Sequence, residues 1–478
     1  MKQTISVFCL LLSVAVVGAD EVVVTPRPVP GTRPEMKQLL EDMKQRPHRI
    51  PVPELTADDR ERLGERADNY ESRLRYHYLQ GRLATTDRSS RQNSIGERSS
   101  SSPRLSRSNA DEAMTLTYPF KTMLFWIVSR TNNCHYCLGH QEQKLIAAGL
   151  SEDEVASLDS DWSGFSPADQ AAFAYARKLT YEPHLLEDAD IAGLRQHFTD
   201  LQILEMTMSV AGNNATNRWK EGTGIPQSSS GIRFFAQSDV SAPSDPSVPI
   251  ESYLTPTTAR FQNVNSIVAP LEFSTAGHVT GRGVSTRPAM ESRQEVEAAL
   301  AAARSRSARL PVLSEEAART AVGEKAPAGP VPMWLRLLAN FPNDAGRRVD
   351  SIMAIATPPE VEGDLSLLLK AQVSWIIARQ DRAWYATGIA MKNLKALGQT
   401  PDQIFALDGT WSEFSSADRA LFQFAKKQAA TPIALTDADV AEALERTGPR
   451  KVVQLIDFVT GRAYLDRVTE AAGLPLED

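Results

Sequence analysis

Two cysteines separated by two residues, Cys134 and Cys137, are followed by His140 three positions further along the chain. Residues three apart lie on the same face of a helix, so the two thiols can meet and close a disulfide. Asn132 or Asn133 can cap that helix, whose free N–H groups and positive dipole end then favour thiolate over thiol. His140 lies one turn beyond Cys137 and can take or relay the thiol proton. This spacing predicts thiol redox chemistry.

A thiolate beside a second thiol can reduce a peroxide. The thiolate attacks the O–O bond and becomes a sulfenic acid, which condenses with the second thiol to a disulfide. An external dithiol then restores both thiols by exchange. We interpret Cys137 as the attacking thiolate, because His140 is its neighbour, and Cys134 as the resolving thiol. The helix-end effect taken alone favours the opposite order.

Three other kinds of site use a Cys-x-x-Cys pair. Attachment of c-type haem needs a histidine directly after the second cysteine, where this chain has Leu138. A zinc site could use His135 or His140 as ligands, although the chain has no second cysteine pair. A structural disulfide is the third alternative, since disulfides persist in exported proteins. His135 could also tune a redox pair from its position between the cysteines.

The chain contains an internal repeat. Without a gap, residues 121–226 match residues 370–475, with corresponding positions 249 residues apart. Identical residues in the two copies include Trp126 and Trp375, Arg130 and Arg379, and Asp159 and Asp408. Each copy is far longer than a solenoid unit, so the pattern predicts the duplication of one helical domain.

The two copies differ at the positions that carry chemistry. Ala383 and Ala386 stand where the first copy has its cysteines, and Ile389 stands where it has His140. The packing residues are kept. A disulfide required for folding should be missed by the second copy, yet that copy retains the scaffold. The difference favours a reactive role for the first copy and a supporting role for the second.

Charge and the first residues bear on partners and location. A net charge of −7 and a pI of about 5.7 give no overall attraction to nucleic acid or to an anionic membrane. Lys2, the apolar run 5–17 and Ala19 are typical of a cleavable secretory signal, and the run is too short to span a bilayer. We therefore predict export to the periplasm or the extracellular space, with no membrane association after cleavage. Cleavage would also remove Cys9.

At 478 residues the chain is too long for one small core, and its composition divides it. Helical periodicity dominates, including residues 54–83 with Thr56 near the N-terminus, so the predicted fold is all-α with Pro/Ser-rich connectors. The predicted segments are a signal peptide (1–19), an N-terminal extension with short helices and a Ser/Arg-rich loop (20–113), the first repeat (114–226), a low-complexity linker (227–290), a helical extension (291–362) and the degenerate second repeat (363–478).

Residues 129–140, Ser-Arg-Thr-Asn-Asn-Cys-His-Tyr-Cys-Leu-Gly-His, followed by Lys-Leu-Ile-Ala-Ala-Gly at 144–149, resemble the core of the carboxymuconolactone decarboxylase and alkylhydroperoxidase family. The resemblance covers roughly residues 114–226 and, in degenerate form, 363–475. It implies an all-α fold, homo-oligomers formed through helical faces and, in members with the cysteine pair, peroxidase activity through a disulfide cycle.

The chain departs from the family pattern at two positions. The family histidine would stand at Gln141, and the family uses a relay glutamate at the position of Thr122. A shift of one residue turns an imidazole by about 100° around the helix axis, which keeps His140 near Cys137 but moves it away from Cys134. Asn133, His135 and Gln141 are the residues expected to support the pair.

Together these patterns predict an exported thiol-dependent peroxidase that reduces hydroperoxides through a Cys134–Cys137 cycle assisted by His140. Its expected partners are the hydroperoxide, an unidentified dithiol reductant and further copies of the chain, and nothing in the sequence requires a cofactor or a metal. Two rival hypotheses are a thiol–disulfide exchange protein acting on protein thiols and a non-catalytic helical scaffold whose cysteines staple a helix.

Overall fold

A computed structural model of the chain describes residues 30–79, 111–160, 162–227, 252–262, 278–279, 285–286, 290–358 and 365–477. Within these ranges the protein is all-α, as predicted, apart from one ladder of two very short strands. The predicted signal peptide and the Ser/Arg-rich loop lie outside the described residues, as does most of the predicted linker.

Among the described residues before the linker, the helices fall into a group of three and a group of six. They are α1 (Arg33–Asp42), α2 (Ala57–Leu63), α3 (Tyr70–Tyr78), α4 (Tyr118–Asn132), α5 (His135–Ala147), α6 (Glu152–Ser160), α7 (Pro167–Tyr181), α8 (Asp188–Leu194) and α9 (Asp200–Thr223). Residues 54–79, the described part of the predicted helix over residues 54–83, form two helices. Thr56 does cap α2, accepting the Asp59 amide at 3.1 Å, but Gly64, with φ of 54°, ends that helix.

The helices after the linker are α10 (Arg293–Ser305), α11 (Glu315–Val322), α12 (Met333–Leu338), α13 (Pro342–Ala356), α14 (Leu367–Asp381), α15 (Trp384–Ala396), α16 (Pro401–Phe405), α17 (Ser416–Ala429), α18 (Asp437–Thr447) and α19 (Pro449–Ala471). Single turns of 3-10 helix cover Met43–Gln45, Gly64–Arg66, Pro183–Leu185, Gly323–Lys325 and Ala406–Asp408. The strands β1 (His278–Val279) and β2 (Ser285–Thr286) pair antiparallel.

The two longest helices, α9 and α19, pack along each other at the centre of the described structure. Helix α4 packs on α5, α7 and α9, and α14 packs on α15, α17 and α19. Trp126 on α4 and Trp375 on α14 are both fully buried in the hydrophobic core that runs through these helices. The core therefore sits between the segments that match in the sequence.

The matching segments make the same local contacts. Nε1 of Trp126 donates to Oδ1 of Asp159 at 2.6 Å, and Nε1 of Trp375 donates to Oδ1 of Asp408 at 2.8 Å. These are corresponding positions, 249 residues apart. A buried indole N–H needs an acceptor, so retaining the aspartate satisfies the same requirement in both places.

Contacts between the two segments are reciprocal as well. Nη2 of Arg218 donates to the backbone oxygen of Ala429 at 2.9 Å, and Nη2 of Arg467 donates to that of Thr180 at 3.1 Å. Both pairs are related by the same 249-residue shift. Such contacts are expected between two copies that face each other across an approximate two-fold axis. The duplication itself stays a prediction from the sequence.

The predicted N-terminal and helical extensions also make matching contacts. Nη1 of Arg49 donates to the backbone oxygen of Glu221 at 2.6 Å, and Nη1 of Arg309 donates to that of Glu470 at 3.1 Å. Glu221 and Glu470 correspond, but Arg49 and Arg309 lie 260 residues apart instead of 249. A gap-free alignment misses this correspondence because the chain length between the arginine and the repeat differs.

Candidate functional site

The cysteine pair lies at the turn between α4 and α5. Asn133 follows α4 in the left-handed conformation (φ 56°, ψ 41°), and Cys134 is the N-cap of α5 (φ −89°, ψ 93°). The Cys134 amide donates to the backbone oxygen of Ser129 at 2.9 Å, which closes the turn. Cys137 is the third residue of α5, and its Sγ lies 2.7 Å from that of Cys134. The structure thus places the sulfur atoms of Cys134 and Cys137 in contact.

The corresponding turn between α14 and α15 has the same backbone without cysteines. Arg382 is left-handed (φ 51°, ψ 37°) and Ala383 has φ −86° and ψ 94°, within a few degrees of Cys134. Ala383 and Ala386 pack with Ala378 in a small apolar cluster. This turn therefore does not need a sulfur pair to form.

Both thiols are buried: Cys134 is 0 % exposed and Cys137 is 1 % exposed. Burial, together with the neighbouring Cys137 sulfur and the negative charge of Glu221, raises the pKa of the Cys134 thiol well above its usual value. A thiolate at the first cysteine, expected from its place at a helix end, is therefore wrong for this site, because burial raises the pKa of Cys134 more than the backbone N–H of Cys137 lowers it.

The predicted capping role of the asparagines is also wrong, because the N-cap position of α5 belongs to Cys134. Asn133 instead holds the imidazole of His135: Oδ1 of Asn133 lies 2.7 Å from Nε2 of His135, and both residues are buried. A left-handed residue is needed at position 133 to reverse the chain, and asparagine tolerates that conformation better than most. The contact with Asn133 therefore fixes the buried ring of His135.

Asn132 belongs to a buried polar network that joins α4 to α9. Its Nδ2 donates to Oδ1 of Asn214 and Oδ1 of Asn217, both at 2.9 Å. Asn217 in turn donates to Oγ of Ser129 at 3.1 Å, and Nη1 of Arg218 donates to Oδ1 of Asn132 at 3.3 Å. The network ties the end of α4 to the central helix and so fixes the position of the turn.

His140 stacks on Tyr136, with ring centroids 5.2 Å apart and an interplanar angle of 19°. Burial, with the positive charges of Lys144 and Lys220, lowers the pKa of His140 to about 3. The imidazole is consequently neutral at physiological pH and a weak base. The family histidine position, Gln141, is 2 % exposed, and its Oε1 accepts from Nζ of Lys144 at 3.4 Å.

Thr122, at the position of the family's relay glutamate, offers no carboxylate. The residue is 4 % exposed, and its Oγ1 donates to the backbone oxygen of Tyr118 at 2.8 Å within α4. A proton relay through this position would therefore need a different group. Glu221 on α9, 1 % exposed, is a carboxylate close enough to raise the pKa of Cys134. No local pattern in the sequence distinguishes this glutamate.

Lys220 and Glu71 form a second feature that the sequence analysis missed. Lys220 on α9 makes an ion pair with Glu71 on α3, and its Nζ lies 4.5 Å from the centroid of the Tyr136 ring. Nε1 of Trp219 donates to Oε1 of Glu71 at 2.6 Å. Thr469 occupies the position that corresponds to Lys220. A comparison of the two copies could thus have identified the lysine, but not the partner on α3.

The outer face of α5 is covered by chain from the predicted linker. Nε2 of Gln227 donates to the backbone oxygen of Tyr136 at 2.8 Å, and Nε2 of Gln143 donates to the hydroxyl of Tyr253 at 2.6 Å. A Cβ on Gly139 would lie 2.5 Å from Nε2 of Gln227 and 2.9 Å from the Tyr253 hydroxyl. Any larger residue at position 139 would therefore have to displace the side-chain ends of Gln227 and Tyr253.

Across the described ranges, no group of three or more His, Cys, Asp or Glu side chains is arranged to hold a metal ion. None of the helices in that part of the chain combines the length and the apolar character that crossing a bilayer requires.

Comparison with known proteins adds no support to the family resemblance seen in the sequence. No protein-family model matches this chain, and no curated protein matches it.

Proposed function

We propose that the chain is a thiol-dependent peroxidase that reduces small hydroperoxides through a Cys134–Cys137 dithiol/disulfide cycle. The observation that carries the proposal is the 2.7 Å distance between the two free thiol sulfurs at the start of α5. A disulfide bond is about 2.05 Å long, so the pair needs only a small movement to close.

In the first step the Cys137 thiolate attacks the terminal, hydrogen-bearing oxygen of the hydroperoxide. The O–O bond breaks, Cys137 becomes a sulfenic acid, and the other oxygen leaves as alkoxide, which takes a proton and departs as the alcohol. The raised pKa of Cys134 supports Cys137 as the attacking sulfur, since Cys134 is kept as the neutral thiol.

In the second step the Cys134 sulfur attacks the sulfur of the Cys137 sulfenic acid. The S–S bond forms, and the hydroxyl group leaves as water with the proton that Cys134 releases. An external dithiol then reduces the disulfide by two exchange reactions and is itself oxidised to a disulfide. A neutral His140 suits a hydrogen-bonding role better than that of a lasting proton acceptor, because its pKa of about 3 makes it a weak base.

Burial and backbone geometry argue against the two rival functions. Protein disulfide exchange needs a sulfur that a second protein can touch, whereas these sulfurs are 0 % and 1 % exposed. For the same reason the reductant of the proposed cycle is a small dithiol that can reach the pair when the covering segments open. If a disulfide were needed to hold this turn, the corresponding turn should need one too. Ala383 takes the same backbone conformation there without a sulfur. A small peroxide needs only a brief opening of the covering segments to reach the pair.

The test is peroxide consumption by purified, reduced protein with a small dithiol as reductant. Wild type should consume hydrogen peroxide and a small alkyl hydroperoxide, and Cys137→Ser should lose this activity. Cys134→Ser should be oxidised once to the sulfenic acid without turning over. Ala386→Ser places the same side chain at the corresponding position of the second turn and should keep full activity.

Two results would overturn the proposal. If wild type consumes no peroxide but reduces disulfides or oxidises thiols in other proteins, the pair is an exchange site. If neither reaction occurs and the pair stays oxidised in dithiol, the cysteines have a structural role.

A further inference from the structure

Lys220 brings a positive charge to the helix that carries the cysteines. Its Nζ lies 4.5 Å from the ring centroid of Tyr136, the residue directly before Cys137 on α5. The same ammonium group makes an ion pair with the carboxylate of Glu71, and the two side chains are only 12 % and 25 % exposed. Charges that are partly removed from water act on their neighbours more strongly than charges on the surface.

The matching segment at residues 370–475 shows that the fold does not need a lysine at this position. Its corresponding residue is Thr469, whose Oγ1 donates to the backbone oxygen of Leu465 at 2.9 Å within α19. Helix α19 packs on α15 in that region as α9 packs on α5 in the first. The ammonium group is thus present where the cysteines are present and absent where alanines replace them.

Electrostatic effects connect Lys220 with the groups around it. Burial alone would lower the pKa of Lys220, but Glu71, Tyr136 and the Cys137 sulfur together raise it, so the lysine is charged. Its charge also contributes to the lowered pKa of His140. Arg75 adds a second cation beside Glu71, at 3.3 Å.

We propose that Lys220 is a positioning residue whose charge stabilises the thiolate of Cys137, and that Glu71 on α3 sets the strength of this effect by pairing with it. The inference rests on the proposed thiol chemistry and deepens it. It makes the N-terminal extension, which lies outside the family resemblance, part of the redox site. Formation of the thiolate releases one proton to solvent and needs no further reactant.

The proposal predicts opposite effects for two neutral substitutions. Lys220→Met removes the cation and should raise the pH at which half of Cys137 is thiolate. Glu71→Gln keeps the shape and the contact with Trp219 but removes the negative charge, so it should lower that pH. Each shift should be about one pH unit, as expected for one charge acting over several ångströms at an effective dielectric constant near 20.

The measurement is a titration of the ultraviolet absorbance of the thiolate. It uses the reduced full-length chain carrying Cys134→Ser, and the same protein with Cys137→Ser is subtracted to remove tyrosinate absorbance. Lys220→Arg should restore the wild-type midpoint. Lys427→Met removes a comparable lysine, paired with Asp439 in the matching segment, and should leave the midpoint unchanged.

A structural role would not produce this pattern, because loss of packing would move both variants in the same direction. Unchanged midpoints, or shifts of the same sign, would overturn the proposal. If Lys220→Met does not fold, Glu71→Gln and Lys220→Arg still test the proposal. An unchanged or raised midpoint in Glu71→Gln would overturn the proposal. The titration uses no peroxide, so opposite shifts without peroxide turnover would refute the peroxidase and leave the role of Lys220 standing.

Discussion

Oδ1 of Asp466 lies 2.8 Å from Nη2 of Arg462 one turn earlier on α19, and both side chains are buried. Burial raises the pKa of Asp466 to about 7, against the opposing attraction of Arg462, and Asp381 adds to the rise. The folded chain therefore holds a proton on Asp466 at a pH where the unfolded chain, with an ordinary pKa of 3.8, has released it.

This difference predicts a pH-dependent stability. Because the pKa of Asp466 is higher in the folded state, its protonation stabilises the fold. This stabilisation is fully present below about pH 3.8 and is lost as the pH rises to about 7. One proton corresponds to a slope of about 1.4 kcal/mol per pH unit across that window. Asp466→Asn, which introduces the residue found at the corresponding position 217, should remove the slope.

Urea unfolding at a series of pH values measures that slope. Asp457→Asn changes a carboxylate on the same helix and serves as the control, in which the slope should be unchanged. An unchanged pH dependence in Asp466→Asn would show that the carboxyl is already ionised at acidic pH in the folded state.

Arg467 and Arg218, which make the reciprocal contacts, should contribute unequally to the free energy of unfolding. Arg467 makes a bidentate pair with Asp381, at 2.9 and 3.0 Å, whereas Arg218 donates to the neutral amide of Asn132. Arg467→Ala leaves a buried carboxylate without its cation and should cost about 3–5 kcal/mol. Arg218→Ala leaves neutral groups and should cost about 1–3 kcal/mol. Denaturant unfolding of both variants checks the order, and equal losses would contradict it.

The helical fold and the meeting of the two sulfurs follow from local patterns in the sequence. Helix periodicity and N-caps such as Thr56 depend on residues a few positions apart, and the Cys-x-x-Cys spacing fixes one helical turn. The sequence did not reveal that Cys134 would be the N-cap, because that depends on the left-handed turn at Asn133. Its raised pKa comes from surrounding helices that no local pattern describes.

The contribution of distant segments could not be predicted for a related reason. Glu71 reaches Lys220 across about 150 residues of chain, and neither residue carries a local signal for the pair. Tyr253 comes from a stretch whose composition predicts a linker, yet its buried hydroxyl accepts from Gln143 above α5. Such contacts form only when tertiary packing brings the segments together, so periodicity cannot indicate them.

The cover over α5 depends on Gly139. A side chain there would displace Gln227 and Tyr253, since a Cβ would approach their side-chain ends to 2.5 and 2.9 Å. Gly139→Val should therefore cost about 1–3 kcal/mol and detach the 252–262 segment, which limited proteolysis would detect as faster cleavage there. Gly212→Ala on α9 is the matched control: nothing lies within 4 Å of its Cβ, and alanine favours the helix. Equal cleavage in both variants would contradict the prediction.

The turn that carries the cysteines should fold without them. Ala383 reproduces the φ and ψ of Cys134 within a few degrees, and Ala386 occupies the position of Cys137 on the next helix. The double variant Cys134→Ala, Cys137→Ala should therefore keep the helical circular dichroism spectrum and unfold cooperatively. A disulfide that closes so short a loop contributes at most about 2 kcal/mol in the chain-entropy model, so adding reductant to wild type should lower its stability by no more than that. Loss of the fold in the double variant, or upon reduction, would instead assign the cysteines a structural role, and the proposed redox cycle would lose its basis.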